Sequence, residues 1–214
     1  MNAMSITSRL PSPSLLNIST PRQSFYLQRK QSLYHVGDQA ASIYFVRDGL
    51  LRITRTTSEG RLMTVRHVLP GDFFGEEAFT SQKRMEVAEA LTSVEIEAID
   101  PKTLPAGELL TVTHSLSKQM QRLIDYEYHL QTGDLRQRVA RYLLKLADTP
   151  LAHQLDNGDL IIAATHELIA EGTGSTRESV SKIVTDLRNE GYINSGYRSV
   201  VLSDIRGLSD IANA

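Results

Sequence analysis

Apolar and polar positions alternate over short distances in the first half of the chain. Between residues 25 and 99, short apolar and β-branched runs are separated by turn signals such as Gly37-Asp38 and Pro70-Gly71. The clearest runs cover residues 43–46, 50–54, 62–69 and 94–98. Many short strands at even spacing predict an all-β barrel or jelly roll.

The period changes to that of a helix over residues 104–130. A heptad seam that is apolar except at Gln119 runs along this segment, and its members are Leu109, Val112, Leu116, Gln119, Leu123, Tyr126 and Leu130. A seam of about three heptads predicts a helix that pairs with a copy of itself. The alternative is that the stripe packs on the chain's own β-domain. We favour dimerisation, through Leu109, Val112, Leu116, Leu123, Tyr126 and Leu130.

Two shorter helices are predicted around a glycine corner at residues 164–188. The first begins after Thr165, whose hydroxyl can cap it, and ends before Gly174, which can adopt φ > 0. Ser175 and Glu178 have the spacing of a capping box. A buried stripe then follows at helical spacing, formed by Val180, Ile183, Val184 and Leu187. Residues 191–202 resemble a hairpin beside the second helix.

The outer face of the second helix carries residue types that read DNA. Arg177 can donate two hydrogen bonds to guanine, Glu178 can accept from cytosine, and Lys182 adds charge one turn later. Hydroxyl side chains suit phosphate contacts. The predicted contact set is Thr165, Ser175, Thr176, Arg177, Glu178, Ser179, Lys182 and Arg198.

Composition limits the other possibilities. The chain of 214 residues suits two small domains, and its net charge of −2 lacks the basic excess of a non-specific nucleic-acid binder. There is no cysteine, which removes disulfides and a cysteine-ligated iron–sulfur cluster. With no secretory signal and no apolar run of about 20 residues, we expect a cytoplasmic protein without a membrane partner.

The segment after Gly174, STRESVSKIVTDLRNEGYI, resembles the DNA-binding domain of the cAMP receptor protein/FNR (CRP/FNR) family of transcription regulators. The resemblance implies that Arg177 and Glu178 read bases and that Lys182 takes the place of a second arginine. Thr173 stands where the family buries an aliphatic residue. Because Gly172 also weakens the end of the first helix, we expect a looser turn.

The segment PGDFFGEEAF is a second signature of that family. In members that bind cyclic nucleotides, a Gly-Glu pair and an Arg-Ser pair hold the ligand. Gly75, Glu76 and Arg84 match this pattern, but Met85 replaces the serine. We therefore expect no cofactor, and keep cAMP or another small anion as the alternative. The pattern most resembles the SdrP-type branch, whose members are understood to activate stress genes without a bound nucleotide.

The resemblance implies an α+β fold with a cyclic-nucleotide-binding-like β jelly roll, a long dimerisation helix and a C-terminal winged helix-turn-helix. The predicted divisions are a flexible arm at 1–24, the β-domain at 25–103, the dimerisation helix at 104–133 and the DNA-binding domain at 134–214. The expected partners are double-stranded DNA, a second copy and RNA polymerase. The sequence carries no catalytic or metal-binding motif, so we expect a transcription activator that is not an enzyme.

Overall fold

The computed structural model of the protein describes residues 22–214, and it has two sheet-containing parts joined by a long helix. The strands are β1 (Gln23–Leu27), β2 (Ser32–Tyr34), β3 (Ile43–Asp48), β4 (Leu51–Thr56), β5 (Leu62–Val68), β6 (Phe73–Phe74), β7 (Val87–Ala90), β8 (Val94–Ile99), β9 (Ala152–Gln154), β10 (Leu160–Ile162), β11 (Ile193–Gly196) and β12 (Ser199–Leu202). The α-helices are α1 (Glu77–Thr80), α2 (Ala106–Gln131), α3 (Leu135–Ala147), α4 (His166–Thr173), α5 (Arg177–Asn189) and α6 (Ile205–Asn213).

The first eight strands form the predicted jelly roll. Two antiparallel four-stranded sheets, ordered β1-β8-β3-β6 and β2-β7-β4-β5, face each other across one apolar core. Val46 and Ile96 from one sheet and Leu51 and Ile53 from the other are fully buried in that core. The alternating runs therefore correspond to real strands, because every second side chain points inward.

The predicted flexible arm extends too far into the chain. Gln23 and Ser24 belong to β1 and pair with Ala98 and Glu97 of β8. The first two residues of this edge strand are polar, so no apolar pattern marks where it begins. Residues 1–21 lie outside the described part of the chain.

The predicted long helix exists, but it turns its heptad seam toward its own chain. Val112 packs in a core with Phe45, Phe73 and Ile99 of the β-domain, and Gln119 donates a hydrogen bond of 2.6 Å to the Phe73 carbonyl. The outward face instead carries exposed apolar side chains, namely Leu109, Leu110, Met120, Ile124 and Tyr128.

Two predicted dimerisation residues are thereby corrected. Val112 is 2% exposed and Tyr126 is 8% exposed within the single chain, so neither is available to a second copy in this arrangement. Leu116, Leu123 and Leu130 are half-buried against the chain's own cores. A heptad repeat marks a face that will be covered, and here the covering elements belong to the same chain. Leu109 remains exposed.

In the C-terminal part, the four helices α3 to α6 pack against a small sheet ordered β11-β12-β10-β9. Asp134 caps α3 in a complete capping box with Gln137. The same apolar core includes Leu50 and Leu91 of the β-domain and Tyr126 of α2, so the two parts share buried surface. Among the residues described, every helix is too short or too polar to cross a bilayer.

Candidate nucleic-acid interface

The glycine corner between α4 and α5 has the predicted geometry. The Thr165 hydroxyl accepts a hydrogen bond of 3.1 Å from the Leu168 amide and caps α4. Gly174 ends the helix in the left-handed region at φ 61°, where a side chain is disfavoured. The Ser175 amide then donates to the Ala170 carbonyl, which closes the turn before α5 begins.

The turn is tighter than the sequence indicates. Thr173 is fully buried, yet its hydroxyl donates to the Ile169 carbonyl at 2.8 Å and leaves no unpaired donor. At Gly172, an added Cβ would overlap the ring of Tyr142. The expectation of a loose corner was wrong, because a hydroxyl satisfied inside the helix and a glycine under an aromatic ring allow close packing.

The cap of α5 is Thr176 and not Ser175. Thr176 has extended backbone angles, and its hydroxyl accepts a hydrogen bond of 3.2 Å from the Ser179 amide. Ser175 lies one residue earlier, in the turn set by Gly174, so the proposed box with Glu178 does not form. The helix therefore starts at Arg177, which is its first residue and is exposed.

The second helix separates a buried stripe from an exposed one. Val180, Val184 and Leu187 are buried, and Ile183 is half-buried. The exposed side carries Arg177, Glu178 and Lys182, which line one shallow depression with Ser181, Thr185 and Asp186. The predicted base-reading residues are thus brought together on the helix end that would meet DNA.

The hairpin β11–β12 forms the predicted wing. Its two-residue turn is Tyr197-Arg198, between the paired residues Gly196 and Ser199. Arg198 is exposed and adopts φ 58°, an unusual backbone conformation for a residue other than glycine. Tyr197 is almost fully exposed beside it. The tip therefore projects one cation and one aromatic ring into solvent.

A second basic element, which the sequence pattern missed, lies across a cleft from the start of α5. Arg29 and Lys30, in the exposed β1–β2 turn, line the same cleft as Arg177 and Arg198. They come from the other domain, more than a hundred residues away, so no local spacing could have linked them. His166 also lines the cleft, and burial together with the Arg177 charge lowers its pKa.

The end of α4 attaches the pair of helices α4 and α5 to the rest of the chain. Glu171 forms an ion pair with Arg52 of β4, and the Tyr126 hydroxyl of α2 donates to the Gly172 carbonyl. Arg52 is also paired with Glu89 at 2.9 Å. Consecutive residues of α4 therefore contact both the β-domain and the long helix, which fixes where α5 points.

In the β-domain, the residues of the second signature do come together. Gly75 adopts φ 80°, and its carbonyl accepts a hydrogen bond of 3.0 Å from Nη1 of Arg84. Arg84 is fully buried, and it also donates to Glu77 at 3.2 Å and to the Ser42 carbonyl at 2.5 Å. Glu76 pairs with Arg66 at 2.6 Å.

Aromatic rings enclose that arginine. The Arg84 guanidinium lies 4.3 Å from the ring centre of Tyr34 and 5.4 Å from that of Tyr44. Burial raises the pKa of Tyr34 well above its usual range, so the hydroxyl stays protonated. Met85, at the expected serine position, is exposed and contributes no phosphate donor from its side chain.

Known proteins match both parts of the chain. A model of the cyclic nucleotide-binding domain matches residues 24–106, and a model of the Crp-like helix-turn-helix domain matches residues 137–211. The transcriptional regulator LdrP of Thermus thermophilus is 46% identical over 180 residues, covering 84% of this chain and 92% of that protein. The transcriptional regulator SdrP of the same species is 40% identical over 172 residues, covering 80% and 84%.

Solved structures agree with the sequence relatives. The crystal structure of a CRP-family transcriptional regulator from Thermus thermophilus is 44% identical and superposes with a TM-score of 0.86, covering 89% of this chain and 97% of that chain. A jelly roll, a long helix and a winged helix-turn-helix define a DNA-binding transcriptional regulator. The chain belongs to the CRP family of these regulators, as the sequence predicted, and it is not an enzyme.

Proposed function

We propose that the protein is a homodimeric transcription activator that binds a palindromic promoter site without a cyclic nucleotide. The observation that carries the proposal is the exposed start of α5, where Arg177, Glu178 and Lys182 share one face. By family resemblance these side chains read a TGTGA-like half-site. The flanking hydroxyls and Arg198 then contact phosphates and set the register.

Dimerisation is supported by the unpartnered face of α2. Leu110, Ser117 and Ile124 repeat every seven residues, and Met120 lies on the same side of the helix, in a d position of that repeat. Leu110 is 73% exposed and Met120 is 64% exposed, although the opposite face of the same helix is buried. Helix-turn-helix dimers bind half-sites about 34 Å apart, one turn of DNA, so pairing along this stripe has to bring the two α5 helices to that separation.

Independence from cyclic nucleotide is supported by the pairing of Arg84. A phosphate would have to displace the Glu77 carboxylate and reach an arginine already held by two backbone carbonyls. The nearby Glu76 is likewise engaged by Arg66. The competing function, gating by cAMP or another small anion, is favoured by the proximity of Gly75 and Arg84 and by the match of residues 24–106 to the cyclic nucleotide-binding domain.

Activation, contact with RNA polymerase and a role in stress response follow from the family resemblance and belong to the same proposal. Because the bacterial chromosome lies in the cytoplasm, we expect the protein to act there. Footprinting of the purified protein on a palindromic site, with and without added cAMP, tests the central part. Protection without any effector supports the proposal, and protection that requires the nucleotide contradicts it.

The dimer is tested by Ile124→Glu, which places a charge in the middle of the exposed stripe. We expect a monomer in light scattering and loss of binding to a full palindrome. The matched control is Lys118→Glu, an exposed position about 120° around the helix from Ile124, which should remain dimeric. A dimeric Ile124→Glu variant with normal DNA binding would contradict pairing through this face.

A further inference from the structure

A cavity of about 460 Å³ lies where the two domains meet the long helix. Its walls come from β5, α2 and α3, and the ends of α4 and α6 reach it at Gly172 and Ala212. It is separate from the signature residues Gly75, Glu76 and Arg84, which do not line it. Its size falls in the range of about 300–1,000 Å³ that small-molecule sites occupy.

One part of the wall is apolar. It includes Leu69 of the β-domain, Leu123 and Leu130 of α2, Leu144 of α3 and the rings of Tyr126 and Tyr142. Both tyrosine hydroxyls already have partners, Gly172 and His67. This side therefore offers hydrocarbon contact to a ligand and little competition for hydrogen bonds.

The other part of the wall is cationic. In the described structure, Lys145, Arg138 and Arg141 have no carboxylate oxygen within 4.0 Å. Arg138 donates only to the Leu130 carbonyl at 3.2 Å, and Arg141 donates to backbone carbonyls such as that of Ala212. The Lys145 ammonium lies 4.0 Å from the centre of the Tyr126 ring and makes no hydrogen bond there.

The balance of charges favours a ligand with one negative charge. Arg66 and Arg122 also line the cavity, but Glu76 and Asp72 pair with them. Three unpaired cations then face two acids, Asp125 and Asp148, which leaves one positive charge in excess. The two acids would repel a multiply charged phosphate compound.

The protonation states of His67 and Lys145 keep this balance at neutral pH. Burial, with the Lys145 and Arg52 charges, lowers the pKa of His67 to about 3, so the ring is uncharged. Burial, with the Arg122 charge, lowers the pKa of Lys145 to about 8, which leaves the ammonium form predominant at pH 7. A carboxylate beside Lys145 would favour that charged form further.

We propose that this cavity binds a small amphipathic monocarboxylate, with its carboxylate at Lys145 and its hydrocarbon chain against the leucines. Such a ligand touches the β-domain, α2 and the end of α4 together. Its binding therefore affects the position of the corner between α4 and α5. The cavity lies on the side of α2 that bears Leu123 and Tyr126, opposite the stripe with Leu110 and Ile124. A second copy seated on that stripe leaves the cavity open.

The test uses decanoate, below its micelle concentration, with the full-length protein in calorimetry and thermal unfolding. We expect saturable binding and a rise in Tm, because the ligand binds the folded state. Decanol, which has the chain without the charge, should bind about 10-fold more weakly or worse. Acetate, which has the charge without the chain, should not raise Tm.

Matched variants locate the site. Lys145→Gln should weaken decanoate binding about 10-fold or more, whereas Lys118→Gln, an exposed lysine of α2 outside the cavity, should leave it unchanged. If Lys145→Gln does not fold, Arg138→Gln takes its place. The proposal is overturned if decanoate fails to bind, or if it binds the cavity variant and the control equally. Failure here leaves the DNA-binding proposal standing, since footprinting tests that separately.

Discussion

Arg52 of β4 and Glu171 of α4 form a buried ion pair that joins the β-domain to the DNA-binding domain. Their side chains are 9% and 11% exposed, and Glu89 holds the other side of the same guanidinium. Burial raises the pKa of Glu171, which the Arg52 charge opposes. Removing only one partner would leave a charge without compensation in a nonpolar setting.

Arg52→Gln should therefore lower the free energy of unfolding by about 3 kcal/mol, because it leaves the carboxylates of Glu171 and Glu89 without their cationic partner. Denaturant titration measures this. The double variant Arg52→Gln/Glu171→Gln should recover part of the loss, since one of the stranded charges is then gone. If the stability loss of the double variant equals the sum of the losses of Arg52→Gln and Glu171→Gln measured singly, the two side chains are not coupled.

Arg177→Ala should relax base preference at one position of each half-site. The expected loss is about 1–3 kcal/mol per half-site, because the side chain is placed for a bidentate contact with guanine. Lys182→Ala should lose less discrimination, since an ammonium lacks the paired donors. Binding-site selection at one fixed salt concentration measures both variants. An unchanged sequence logo for Arg177→Ala would contradict the assignment.

Thr176→Ala should destabilise the protein by about 1 kcal/mol through loss of the α5 cap. The neighbouring Ser175→Ala is the matched control, because its hydroxyl does not cap the helix in the structure. Thermal unfolding of the two variants distinguishes the positions. A larger loss for Ser175→Ala would restore the capping box that the sequence indicated.

Two substitutions of Arg198 at the wing tip distinguish the effect of its backbone conformation on stability from the effect of its charge on DNA binding. Arg198→Gly and Arg198→Val both remove the cation, so each should weaken DNA binding by a similar factor on every sequence and reduce the salt slope by about one. Only Arg198→Val should lower stability, by about 1–2 kcal/mol, because a β-branched residue tolerates φ 58° poorly. Equal stability of the two variants would contradict the strained turn.

His67 should make stability depend on pH. Burial lowers its pKa to about 3 in the folded state, and the unfolded value is 6.5. A depressed folded pKa gives stability that is present above pH 6.5 and is lost as the pH falls toward 3. Between pH 7 and pH 5 the loss should be about 2 kcal/mol. His67→Gln should remove that part of the slope in denaturant titrations, and an unchanged slope would show that His67 is not the titrating group.

Local patterns predicted those elements whose signal lies within a few residues. The alternating runs at β3, β4, β5 and β8 and the stripe of α5 are of this kind, since a strand or helix buries one face whatever covers it. The edge strand β1 lacked such a pattern. The choice between Ser175 and Thr176 as the cap also escaped the sequence, because both can accept the hydrogen bond and the backbone after Gly174 decides.

Long-range placement could not be predicted from spacing. The heptad seam of α2 was assigned to a second copy, and the structure covers Val112 and Tyr126 with the chain's own domains. Arg29 and Lys30 line one cleft with Arg177 only because the domains fold together, and the cavity at Lys145 depends on segments from both domains and the long helix. Such sites follow from the tertiary arrangement, and no periodic pattern in the sequence indicates them.

Gly172 lies beneath the Tyr142 ring without room for a single carbon atom. Helix α4 thus sits against α3 at a distance that any larger residue would increase, and α5 follows α4 through a rigid corner. In a symmetric pair the same displacement would occur twice, in opposite senses along the duplex. In the proposed dimer, a larger residue at position 172 would therefore change the separation between the two α5 helices, and with it the half-site spacing that binds best.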